Sequence, residues 1–268
     1  MTTLDLSYPN TPDARPKFLK SLHIEQVALE VRRQLGAESR PRLQLQELAG
    51  IDRLRVNRVD YEVWTDIDHV VHDDDGTEVL GVFEFTPASS IDAVSISASP
   101  VSETRREEVV LSSFAHEFGH GIFDAPHLIV GAHAPSLFDS DAVEVRAFRA
   151  VTDTPAHLNG QAATLPEHVR FAEWRANEFM GLLLAPRDLL VECVTAEAMR
   201  CAVEIKYQPS VCAPSARDFP ELVVTEFEAL VSLPEITRAV AAVFGVTAKF
   251  IAVRMKKYGL IPADVIVH

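Results

Sequence analysis

The chain has 268 residues, 47% hydrophobic and 24% charged, enough to bury one large core or two small ones. A formal net charge of −14 argues against a partner chosen for its phosphate backbone through overall charge. The opening "MTTLDLSYPNTPDARPKF" has no apolar targeting segment, and no later apolar run reaches spanning length, so a cytoplasmic chain without membrane association is expected.

Residues 1–20, broken by Pro9, Pro12 and Pro16, read as a flexible arm. In "HIEQVALEVRRQLG", Ile24, Val27, Ala28, Val31 and Leu35 share one helical stripe, and Gly36 is the stop. "LQLQELAGI" reads as a second short helix. From Arg53 to Ser99 the period falls to two, giving the strands "RLRVNRVDYEVW", "TEVLGVFEF" and "DAVSISAS". The last of these fits a half-buried strand or one with an edge open to an extended peptide. Asp73, Asp74, Asp75 and Gly76 lack the spacing of a calcium loop and read as a turn.

Ser102 is expected to cap a helix running to Phe123, and residues 124–164 to form a loop-rich insertion. Thr164 and Glu167 stand in a capping-box relation before "EHVRFAEWRANEFMGLLLAP", and Pro186 opens "RDLLVECV". Ser232 and Glu235 repeat that relation before a helix ending at Gly245. Thr247 then starts a helix ending at Gly259. This last pair has a helix-turn-helix outline with Lys249, Arg254, Lys256 and Lys257. Phe250, Ile251, Val253 and Met255 leave it little free surface, so a structural or substrate-docking role is expected and direct DNA contact is not. Cys193, Cys201 and Cys212 are odd in number and match no common zinc spacing, as reduced thiols do.

The chemistry concentrates in "SFAHEFGHGIF", Ser113 to Phe123. At about 100° per residue, Leu111, Phe114, Ala115, Phe118 and Ile122 form the core stripe. His116 and His120, about 40° apart, point nearly the other way. Both imidazoles can then reach one ion, with Glu117 beside them to take a proton from water that the ion polarises. Gly119 admits another segment closely. The plain alternative is an amphipathic helix carrying two solvated histidines.

A catalytic zinc needs a third protein ligand and an open position. His127, His133, His157 and His168 lie downstream, but none completes HExxHxxGxxH, since Phe123 and Pro126 stand at the required glycine and histidine. The better candidate is Glu173 in "EWRAN". On that helix Val169, Ala172, Ala176, Phe179, Met180 and Leu183 make the buried stripe and Glu173 lies at its margin. Asn177 can support a ligand, and Glu178 is expected to be solvated. No residue is singled out to stabilise an oxyanion; the loop histidines, Tyr61, Tyr207, Tyr258 and Arg175 all stay open.

"FAHEFGHGIF", "EWRANEFMGLLLAP", "AVFGVTAKFIAVRMKKYGLI" and the amino-terminal "IEQVALEVRRQLG" together resemble the ImmA/IrrE family of zinc metallopeptidases over most of residues 22–260. The resemblance implies an α+β zincin-like fold, with a small twisted sheet on the HExxH helix. It implies a peptidase domain over 21–231 and a helical, helix-turn-helix-like subdomain over 232–268. It also implies one zinc ion held by His116, His120 and Glu173, with Glu117 as general base. The partner it implies is a helix-turn-helix repressor cleaved under stress, here expected as a separate chain. A non-proteolytic metal-binding regulator acting through protein or DNA contacts is the alternative. Oligomeric state is not legible.

Overall fold

The computed structural model describes residues 2–73, 75–85, 87, 91–133, 166–208 and 219–265, and the backbone of 146–150. Asp74, His157, Thr164 and Cys212 lie outside the described residues, and so does most of the expected 124–164 insertion. The chain divides into two compact units, residues 1–38 with 44–183, and residues 39–43 with 184–268. The boundary expected near residue 231 therefore falls after Leu183.

The first unit is an α+β arrangement on a six-stranded mixed sheet. Its strands are β1 (Thr2–Leu6), β2 (Ile51–Val56), β3 (Val59–Asp66), β6 (Gly81–Phe85), β7 (Ala93–Ala98) and β8 (Arg146–Ala150). The short pair β4 (Val71–His72) and β5 (Glu78–Val79) stands apart. The sheet order is β1-β2-β3-β7-β6-β8. β1 runs parallel to β2 and β3 parallel to β7; the other neighbours are antiparallel.

Residues 2–6 are thus an edge strand where a flexible arm was expected. Leu4 and Leu6 are buried between exposed Thr3 and Asp5, an alternation that ends before the prolines begin. The β2–β3 hairpin turns on Asn57 and Arg58, both at positive φ, which matches the twist of the flanking strands. β7 is bonded on both sides, to β3 and to β6, so "DAVSISAS" offers no free edge.

Helices α1 (Ser21–Gln34), α2 (Leu45–Ala49), α3 (Glu107–Phe123), α4 (Ala125–His133) and α5 (Glu167–Leu184) complete this unit. Gly36 ends the α1 segment at φ 65°, as its position predicts. α3 begins four residues later than expected, with Arg106 in the cap position, because Ser102 and Arg105 close a turn on each other's backbone. Its acidic first turn, Glu107 and Glu108, suits the helix dipole. α3 packs on β6, β7 and β8, and from Ser113 to Phe123 it is buried on every face. α4 and β8 fall within the segment expected to be loop-rich; Pro126 is tolerated there because it sits in the first turn of α4.

The second unit holds α6 (Arg187–Arg200), the antiparallel pair β9 (Ile205–Gln208) and β10 (Phe219–Leu222), α7 (Leu233–Phe244) and α8 (Ala248–Lys257). α6 packs on α7, and Leu222 donates its backbone N–H to Leu260 O, so α6 and the β9–β10 pair fold with the carboxyl-terminal helices. A π-helical turn, Glu228–Ser232, runs straight into α7; Ser232 has helical backbone angles and caps nothing, against expectation. Gly245 in the left-handed region and Thr247, whose hydroxyl accepts from Phe250 N, make the turn into α8. The two helices meet at 103°. Arg254 is buried and donates to the Tyr258 hydroxyl, which removes it from the set of basic residues open to a partner. Among the described residues, no single helix is long and apolar enough to cross a membrane.

Candidate metal centre

Two small residues bring α3 and α5 into contact. A β-carbon on Gly119 would stand 3.0 Å from Ala176 Cα and 3.3 Å from a Phe179 ring carbon, so only glycine permits this separation. Ala176 lies one turn beyond Glu173, and Gly119 directly precedes His120. The crossing therefore carries the Glu173 carboxylate onto the histidine pair.

His116 Nε2 and His120 Nε2 are 3.3 Å apart. Glu173 Oε2 is 3.4 Å from His116 Nε2, and Glu173 Oε1 is 3.4 Å from His120 Nε2. Ligand atoms about 2.0–2.1 Å from a tetrahedral zinc are separated by about 3.3–3.4 Å, so the edges of this triangle match one face of such a site. Among the described residues it is the one group of three or more His, Cys, Asp or Glu whose ligand atoms all lie within 4.8 Å of one another, and it can hold a metal ion. The histidines are buried, which removes the solvated-helix alternative; the Glu173 side chain keeps 29% of its exposure.

Glu117 is fully buried against the start of β6, where a β-carbon on Gly81 would meet its Cγ at 3.0 Å. Burial alone disfavours a charged His120. Hydrogen bonds to Asp124 and Glu173, with the charges of Asp124 and Glu117, outweigh it and raise His120 to about 10 in the metal-free site. Burial likewise favours the neutral Glu173 carboxyl, but the two imidazoles hold it down at about 2.

Behind the ligands lies a network that the sequence reading missed. His120 Nδ1 is 2.8 Å from Asp124 Oδ2, and Arg175 Nη2 donates to Asp124 Oδ1 at 2.6 Å. Burial opposes the ionised Asp124, yet these two partners keep its carboxyl below the ordinary range. The spacing of four from His120 was the available signal for Asp124; nothing local connects it to Arg175. Asn177 donates to the backbone carbonyl of Glu173 rather than to its carboxylate. Glu178, expected in solvent, is buried.

The remaining polar candidates have other employment. Tyr61 donates to Gly121 O at 2.7 Å, and the Tyr8 hydroxyl lies 3.1 and 3.2 Å from Ile122 O and Phe123 O, so both close the carboxyl end of α3. Burial, chiefly, pushes both phenols upward. His127 pairs with Asp13 and Arg15, His133 with Asp92, and His168 is exposed. Tyr207 and Tyr258 belong to the second unit. Comparison with protein-family models, curated proteins and solved structures finds no match.

Proposed function

We propose that this chain is a zinc-dependent endopeptidase of the zincin type, akin to the ImmA/IrrE metallopeptidases. The observation that carries the reading is Glu173, on a helix separate from the HExxH segment, closing a triangle of tetrahedral edge length with His116 and His120. Three protein ligands are the catalytic pattern, since a structural zinc usually takes four. The zinc, when bound, supplies Lewis-acid polarisation of water and of a peptide carbonyl.

The chain's own residues do the rest. His116, His120 and Glu173 hold the ion. Glu117, the next residue after the first ligand, takes the proton as water adds to the carbonyl carbon and passes it to the amine as the C–N bond breaks. Its burial keeps bulk solvent from competing for that proton. The substrate in this proposal is a separate partner protein of the helix-turn-helix repressor class, met in the cytoplasm, where Cys193 and Cys201 stay as free thiols.

The test is co-expression with the repressor-like protein encoded nearest this chain's gene. A partner fragment should form with the wild type and not with Glu117→Gln, while both proteins carry equal zinc. Zinc and a stable complex without any fragment would leave a non-proteolytic metal-binding regulator in its place.

A further inference from the structure

We propose that Asp124, held in place by Arg175, is the positioning residue of the metal centre, setting the His120 proton on Nδ1 so that Nε2 faces His116 and Glu173. The inference rests on the reading of these three residues as metal ligands. The two nitrogens of His120 are divided between two environments. Nδ1 is 2.8 Å from the Asp124 carboxylate, and Nε2 is 3.3 Å from His116 Nε2 and 3.4 Å from Glu173 Oε1. A carboxylate accepts and cannot donate, so the proton on that side belongs to Nδ1. Once an ion displaces the second proton, from Nε2, the lone pair there is directed into the site, strengthened by the charge behind it.

The place of Asp124 argues against an incidental ion pair. It ends α3 and directly precedes α4, so the dipoles of the two helices act on its charge in opposite senses and neither accounts for it. It is also nearly out of water: the Asp124 and Arg175 side chains keep 11% and 14% of their exposure. Arg175 offsets the cost of that burial, and it reaches Asp124 from α5, two residues beyond Glu173. α3 and α5 are therefore fastened twice, through Glu173 to the ligand histidines and through Arg175 to the residue that orients one of them. The second fastening holds the first in register without any ion.

The experiment measures zinc affinity by chelator competition on purified full-length protein, alongside long-range nitrogen–proton spectra of the histidines in the zinc-loaded form. Asp124→Asn keeps an acceptor of the same shape but no charge. It should bind zinc about tenfold more weakly with the His120 Nδ1–H signal retained. Asp124→Ala should bind up to about a hundredfold more weakly and lose that signal. Zinc affinity within twofold of wild type in Asp124→Asn, which is the variant least able to disturb folding, would overturn the proposal. So would equal loss of unfolding midpoint in Asp124→Asn and Arg175→Met with no change in affinity, the mark of a purely structural bridge. A wild type that binds no zinc would instead remove the metal reading itself.

Discussion

Gly119 and Ala176 meet backbone to backbone across α3 and α5, with room for no more than a hydrogen at the glycine. Everything the site can do depends on that separation, because Glu173 and His120 ride on the same two turns. Gly119→Ala places a methyl group 3.0 Å from the Ala176 Cα, a contact that must be relieved by moving a helix. We expect a loss of about 1–3 kcal/mol in urea unfolding, the usual cost of overpacking, together with weaker zinc binding. Unchanged values for both would show that the helices can separate freely.

Gly81 bears on Glu117 in the same manner. A β-carbon there would stand 3.0 Å from Glu117 Cγ, 3.4 Å from its Oε1 and 3.2 Å from Ser97 O. Gly81→Ala should therefore displace the carboxylate while leaving the three ligands alone. Zinc content is expected to stay at the wild-type level as the proposed cleavage of the partner falls roughly ten- to a hundredfold, the scale of effect from a misplaced reacting group. Full activity in this variant would mean that Glu117 has slack.

Tyr61→Phe removes the donor to Gly121 O and leaves a buried carbonyl at the end of α3 without that bond. The expected cost is about 1–3 kcal/mol in thermal or urea unfolding. Zinc affinity should change little, since the bond is made to a backbone carbonyl and not to a ligand side chain. A large loss of zinc with normal stability would place Tyr61 in the site after all.

Acid and base should each weaken the metal-free protein, through different groups. His120 is raised from 6.5 to about 10, so its contribution to stability is complete below about pH 6.5 and is lost as pH rises through 10. Glu173 is lowered from 4.5 to about 2, so its contribution is present above about pH 4.5 and is lost as pH falls through 2. The unfolding midpoint of chelator-treated protein should therefore peak between about pH 4.5 and 6.5 and decline on both sides. Adding zinc near pH 8 should release about one proton, read with an indicator dye in weak buffer, because the ion takes the place of the His120 proton. Zinc uptake without proton release would show that His120 is already neutral in the metal-free protein.

How far these features could be read in advance differs from residue to residue. Period two from Arg53 to Ser99 predicts the strands and period 3.6 predicts the helices, because both follow from which neighbours share a face. The edge strand Thr2–Leu6 escaped, since five residues of alternation beside a run of prolines carry little signal until β2 supplies a partner. The buried state of Glu178 escaped for a related reason: a helical wheel ranks faces by their own residues and knows nothing of what packs against them.

The amino-acid order by itself determined the candidate chemistry: two imidazoles one helical turn apart, a carboxylate between them, and Glu173 at the margin of a later apolar stripe. Helical spacing is a local property, so it needs nothing beyond the chain's own backbone. Only the tertiary structure decided that Glu173 reaches the pair, that Asp124 and Arg175 stand behind it, and that Gly81 abuts Glu117. Those are contacts between elements distant along the chain, made by close packing of side chains and glycines, and no periodicity in one segment encodes the surface of another.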